Sequence, residues 1–341
     1  MPRERTKLLS QGAQGCVFAP ALPCAGPVTR LRAARAGPIG LSITKVFGRT
    51  DAYRHEWGVA AAIAAIDPGQ QRFLYPTETC QVARATVERA TQECKLLATT
   101  RRRRLPSMRL RNGGRSFSRW LGARERPPTD VELVALLLPC FEALQLLARA
   151  RIVHQDIKAN NLVIDDLGAV RLIDFGLHTR FDELYQPELN ARALSKSWVL
   201  PPEYRLRRRM AAAESGAATG PALLATGPAL LATERAALRR SFSPRDVTQL
   251  ERLHELFWPD GEAAAALRGA YLALRRHGTT ALDAAKVDVY GLGMVLMWAA
   301  QHLAAPPQAR FVALVRGMTH PAVAARWSVD RALRMARRLV A

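Results

Sequence analysis

The chain has 341 residues, 49% of them hydrophobic, enough to bury a sizeable core, so global disorder is excluded. Lys and Arg number 50 against 29 Asp and Glu, a formal net charge of +21. That charge favours anionic partners (nucleotides, acidic protein segments, nucleic acid or a membrane surface), although the abundant arginine and alanine also fit the coding bias of a GC-rich genome. The cysteines Cys16, Cys24, Cys80, Cys94 and Cys140 are odd in number and lack Cys-x-x-Cys spacing. They argue against a disulfide framework or a structural zinc, and for an intracellular, reducing compartment, cytoplasm or nucleus. The start, MPRERTKLLSQG, has charge but no apolar run, so no signal peptide is expected. The most apolar stretch, VDVYGLGMVLMWAA at 287–300, is too short to span a bilayer and reads as a buried helix.

In chain order, residues 8–18, LLSQGAQGCVF, predict strand, glycine turn and strand, followed by a Pro/Gly-rich surface loop. SITKVF at 42–47 alternates like a strand. DAYRHEWGVAAAIAAI at 51–66 has helical spacing, with Asp51 as its N-cap. Short strands are expected at Cys80–Ala83 and Lys95–Ala98, and the run RRRR at 101–104 precedes a further strand, LPSMRL. From about residue 130 the pattern turns helical, beginning with VELVALLLPCFEALQLLARARIV and ending with VDRALRMARRLV. The shift predicts two parts, 1–111 and 112–341, with a boundary near Asn112–Gly114. TGPALLA occurs at 219–225 and again at 226–232, within an insertion at about 205–282 that reads as low-complexity sequence.

A polar loop, IVHQDIKANN, sits between apolar runs near the middle of the chain. Transfer of a phosphoryl group from ATP to a hydroxyl needs phosphates placed, Mg²⁺ held, the hydroxyl oriented and its proton accepted. Asp156 suits the proton, Lys158 the charge on the transferring phosphate, and Asn161 offers an oxygen to Mg²⁺. In VRLIDFGL, Asp174 ends an apolar strand beside Gly176, where a carboxylate can bridge Mg²⁺ to phosphate.

HQDIKANN resembles the His-Arg-Asp-x-Lys-x-x-Asn catalytic loop of eukaryotic-type protein kinases, and IDFGL resembles their Asp-Phe-Gly segment. The resemblance implies an α+β bilobal fold. Its small lobe has an antiparallel sheet and one helix, its larger lobe is helical, and ATP and Mg²⁺ lie in the cleft. SQGAQGCV is similar to the family's phosphate-covering loop, with Ser10 at the first glycine and Gly12 and Gly15 at the next two. SITK is similar to the strand whose lysine, here Lys45, contacts the phosphates; a buried lysine needs a partner, and Glu56 on the following helix supplies it. The resemblance places Met108 at the gatekeeper position, the backbone of Arg109 and Arg111 against adenine, and Val17 and Val163 on either face of the ring. Arg115 stands where many relatives have an acid for the ribose. Pro201-Pro202-Glu203 is similar to the end of an activation segment, Arg326 matches the arginine that pairs with its glutamate, and Asp288 matches the acid that orients the catalytic loop.

Gln155 replaces the arginine that reads activation-loop phosphate in many relatives, so activity independent of that phosphate is expected, with Ser195 and Ser197 dispensable or else positioning the substrate hydroxyl. The insertion and the expanded loops look most like divergent kinases of large DNA viruses, which allows an infected host cell as the compartment. The resemblance implies serine/threonine phosphorylation of protein substrates, acidic ones among them, by a monomer with no membrane partner. RRRR reads first as a solvated loop; acidic-substrate or nucleic-acid docking is the alternative, and nucleic acid lacks support from interleaved aromatics. Two other classes are weighed. A pseudokinase scaffold conflicts with the intact set Lys45, Glu56, Asp156, Asn161 and Asp174, and a small-molecule kinase conflicts with Glu203 and Arg326.

Overall fold

The computed structural model describes residues 6–12, 14–31, 42–184, 200–204, 206, 227–241, 251–252, 254–277 and 284–341. The chain forms two compact units. One comprises Met1–Arg115, Val163–Leu167 and Arg171–His178; the other comprises Ser116–Leu162, Gly168–Val170 and Thr179–Ala341. The architecture is α+β.

The first unit is built on strands β1 (Lys7–Gln11), β2 (Gly15–Ala19), β3 (Thr29–Arg30), β4 (Ser42–Phe47), β5 (Glu78–Ala83) and β6 (Arg104–Arg111), in the antiparallel order β1-β2-β4-β6-β5-β3. Helix α1 (Thr50–Ile66) lies between β4 and β5 in the chain. Its buried residues Glu56, Val59, Ala60, Ile63 and Ala64 recur at helical spacing, so a carboxylate sits on the apolar stripe. Arg49, not Asp51, occupies the N-cap position; Asp51 falls in the first turn and bridges back to Arg49.

Two expectations are corrected in this unit. Cys16 pairs with Cys94 and Cys24 with Cys80, at Cα separations of 6.1 and 5.9 Å, so four of the five cysteines are disulfide-bonded and Cys140 is in no disulfide. The partners lie 78 and 56 residues apart; Cys16 is on β2 and Cys80 on β5, and each bonds a cysteine of a connecting loop, Cys94 between α2 (Arg84–Ala90) and α3 (Leu96–Thr99) and Cys24 before β3. The strand expected at Lys95–Ala98 is instead the short helix α3, after α2. Leu96 and Leu97 both enter the core cluster around Phe18, Val82 and Leu105, which an alternating strand would not allow.

The second unit is mainly helical: α4 (Phe117–Gly122), α5 (Asp130–Arg149), α6 (Gly227–Ser241), α7 (Asp260–His277), α8 (Ala285–Ala299), α9 (Ala309–Met318) and α10 (Val329–Val340). Thr129 caps α5 through a box in which its hydroxyl accepts the Glu132 N–H at 3.1 Å and its own N–H meets Glu132 at 2.8 Å. By length and composition α5 could cross a membrane. Here it packs against α8 and α10 and buries Leu133, Leu137, Phe141 and Leu144. α8 is buried over nearly its whole length, as its sequence predicts. The second TGPALLA copy opens α6, with Pro228 in the first turn, where a missing N–H costs nothing. The first copy lies outside the described residues.

Candidate active site

In the first unit, the register places Val17 opposite Lys45, Lys45 opposite Met108 and Met108 opposite Thr79, one row across β2, β4, β6 and β5. Lys45 is therefore fixed on a central strand. Its Nζ lies 2.6 Å from Glu56 Oε2 and 2.8 Å from Asp174 Oδ1. Burial works to lower the Lys45 pKa, but the charges of Asp174 and Glu56 outweigh it and hold the ammonium above its ordinary value. Burial pushes the Glu56 carboxyl up to about 7, against the pull of Lys45 and with the repulsion of Asp174.

Asp174 adopts φ +68, a left-handed conformation uncommon for a residue with a side chain. The next residue, Phe175, is buried and meets Phe73 edge-on at 5.8 Å. Packing of Phe175 thus sets the turn that presents Asp174 to Lys45. Gln14, in the glycine loop, donates from Nε2 to the Gly176 carbonyl at 2.9 Å. His55 of α1 stacks on His178 with centroids 4.1 Å apart. Neither contact has a signal in the sequence, because each joins residues more than a hundred positions apart.

Of the residues assigned to the nucleotide, Met108 and Val163 are buried and Val17 is partly buried. A Cβ at Gly113 would stand 2.4 Å from Val163 Cγ2, so that glycine lets the chain close onto Val163. The Arg109 carbonyl already accepts the Thr77 N–H at 3.0 Å, which leaves it one lone pair. Arg111 stands opposite Ser42 in the ladder. Gly15 has a further role: a Cβ there would lie 2.2 Å from the Val46 carbonyl oxygen, so the close approach of β2 to β4 requires it. Gly12 has open space around it.

In the second unit, the loop from His154 to Asn161 is pinned from beneath. Asp288, at the start of α8, accepts the His154 N–H at 2.7 Å and the Gln155 N–H at 2.9 Å. Burial raises its pKa to about 6, against the His154 charge and these two hydrogen bonds. Asp156 accepts Lys158 Nζ at 2.7 Å and Asn161 Nδ2 at 2.8 Å, both on Oδ2. Its second oxygen, Oδ1, takes no hydrogen bond from the described residues, which leaves an acceptor for an incoming proton. Gln155, at φ +64, accepts the Tyr204 hydroxyl at 3.2 Å. Glu203 and Arg326 form a two-pronged pair, 2.8 Å on each side, with both side chains fully buried. Ser195 and Ser197 lie outside the described residues.

Among the described residues no cluster of three or more His, Cys, Asp or Glu could form an all-protein metal cage. In the second unit the Asn161 amide nitrogen is engaged by Asp156, which leaves its oxygen as a donor for a hard cation.

Comparison with known proteins fits this geometry. Residues 108–215 match the protein kinase domain family. The match contains the loop of Asp156, the Asp174 turn and Glu203. The chain is 32% identical over 78 residues to a probable serine/threonine-protein kinase of Arabidopsis thaliana, covering 23% of this chain and 14% of that protein. A serine/threonine-protein kinase of Dictyostelium discoideum is 27% identical over 77 residues, 23% of this chain and 6% of its own length. A probable serine/threonine-protein kinase of Corynebacterium glutamicum is 43% identical over 49 residues, 14% of this chain and 8% of its own. The aligned stretches thus span a seventh or less of each of these relatives. The matches support the protein kinase superfamily, and the fold is of the α+β bilobal kinase-like class.

Proposed function

We propose that the chain is a protein serine/threonine kinase that transfers the γ-phosphoryl group of Mg·ATP to hydroxyls of protein substrates. The observation that carries this reading is the doubly paired Lys45, held between Glu56 and Asp174 in a kinase-like fold. Lys45 holds its charge toward the nucleotide phosphates, and Glu56 keeps its Nζ in place. Asp156 receives the substrate hydroxyl proton at Oδ1 as the oxygen attacks the γ-phosphorus and the bond to the ADP oxygen breaks. Lys158 offsets charge on the transferring group. Asp174 and Asn161 would each offer an oxygen to Mg²⁺, which would neutralise phosphate charge when bound. Val17, Met108 and Val163 enclose the adenine, with the backbone of Arg109 and Arg111 at its edge; Gly12 and Gly15 give the covering loop room over the phosphates. Lys158 supports serine or threonine over tyrosine. The insertion between Glu203 and Asp288 supports a divergent member of the kind that large DNA viruses encode.

Purified protein and its Asp156→Asn variant, incubated with γ-labelled ATP, Mg²⁺ and a panel of acidic and basic proteins, test the reading. Label on serine or threonine from the wild type, and none from the variant, is expected. Equal label from both proteins would replace this reading with a binding scaffold.

A further inference from the structure

The first unit carries a groove of about 400 Å³, none of whose described lining residues is assigned above to the nucleotide or to catalysis. Its lining comes from the first turns of α1 (Thr50, Tyr53 and Arg54), from β5 (Thr79 to Gln81) and from the run that enters β6 (Arg102 and Arg104). The Cys24–Cys80 disulfide ties the segment before β3 to β5, and Pro27 and Thr29 of that segment close the remaining side.

Among the described residues three arginines line this groove and no carboxylate does. The neighbouring acids are already engaged: Asp51 with Arg49, and Glu78 with Arg30 and Arg109. Arg54, Arg102 and Arg104 form no ion pair among the described residues; the Arg102 guanidinium donates to the Thr50 hydroxyl and its backbone N–H to the Thr100 hydroxyl at 3.4 Å. Three unneutralised cations around one concavity repel each other, and an anion between them relieves that repulsion. The uncapped start of α1 adds to the positive field, since Arg49 provides no side-chain cap. The one aromatic ring, Tyr53, is tied by its hydroxyl to Thr79 at 2.7 Å, so the groove offers little platform for stacking bases.

We propose that this groove docks a phosphoserine- or phosphothreonine-bearing segment of a partner protein. A phosphate monoester brings close to two negative charges and three acceptor oxygens, and forked guanidinium groups match that geometry better than they match a single carboxylate. A groove of this size has room for a phosphorylated side chain and its flanking backbone.

Fluorescence anisotropy of a short labelled peptide with one phosphoserine, titrated with the full chain in the absence of nucleotide, tests the proposal independently of any phosphoryl transfer. The R54A/R102A/R104A variant should bind at least about tenfold more weakly, as expected for the loss of several charge-assisted hydrogen bonds. R89A/R101A/R103A removes equal charge outside the groove and should bind like the wild type. R54K/R102K/R104K keeps charge and bulk but loses the forks, and should also weaken binding. The unphosphorylated peptide should not compete. Equal losses in the two alanine variants, or equal binding of the unphosphorylated peptide, would overturn the proposal and leave only general attraction to a basic protein. A single-stranded oligonucleotide that binds more tightly than the phosphopeptide and depends on the same three arginines would also overturn it, in favour of nucleic acid.

Discussion

Gln155 accepts a hydrogen bond from the Tyr204 hydroxyl at 3.2 Å. The residue that many kinases use to read a phosphate is here an amide, engaged by a neighbour that follows Glu203. An amide has no charge to offer a phosphate, and its oxygen is already used. Phosphatase treatment should therefore leave the transfer rate within about twofold, because no charge-assisted partner is lost. A fall of ten times or more after treatment, measured as the initial rate on a protein substrate, contradicts this.

Asp288 sets a pH dependence. Its folded pKa of about 6 stands above the ordinary 3.8, so the folded state binds the proton more tightly than the unfolded chain does. The stability this gives is fully present below about pH 4 and is lost as pH rises through 6. Relative to Asp288→Asn, which does not titrate, the wild type should lose about 3 kcal/mol between those limits. Urea unfolding of both proteins at several pH values measures the difference; a gap that stays constant contradicts the assignment.

Glu56 lies on the apolar stripe of α1, and its removal leaves the buried Lys45 with Asp174 alone. Glu56→Ala should destabilise the fold by about 3 kcal/mol, as expected when one partner of a buried pair is removed. Glu56→Gln, which keeps an acceptor, should cost less. Denaturant midpoints give both values, and equal costs would show that the acceptor at this position does not matter.

The disulfides make a third kind of prediction. Closing the 78-residue separation between Cys16 and Cys94 restricts the unfolded chain, and Cys16→Ser should lower stability by about 4 kcal/mol. Thiol titration of the denatured, unreduced protein should find one reactive thiol, that of Cys140, and all five cysteines after reduction. Five thiols without reduction contradicts the pairing.

The local geometry of the candidate site was legible in the sequence wherever local pattern and physical need coincided. Lys45 lies on an alternating strand, and Glu56 is the carboxylate on the apolar face of the next helix, so each requires the other. Asp156, Lys158 and Asn161 fall within six residues, and the loop that holds them is one short piece of chain. What depended on distant approach was not legible. Cys16 and Cys94 have no spacing that marks them as partners; one lies on β2 and the other in the loop between α2 and α3, and only tertiary packing brings them together. The apolar run at 95–98 is too short for its period to separate strand from helix, and packing of Leu96 and Leu97 decided it. The arginine run at 101–104 read as a solvated loop because Arg54, which shares a groove with Arg102 and Arg104, lies some fifty residues earlier.

The most direct measurement of the central claim is equilibrium binding of ATP to the wild type and to Asp174→Asn, with and without Mg²⁺. The account predicts that Mg²⁺ strengthens binding to the wild type and that the variant loses this strengthening while remaining folded. No uptake of Mg·ATP by the wild type, or the same Mg²⁺ response in both proteins, would contradict it.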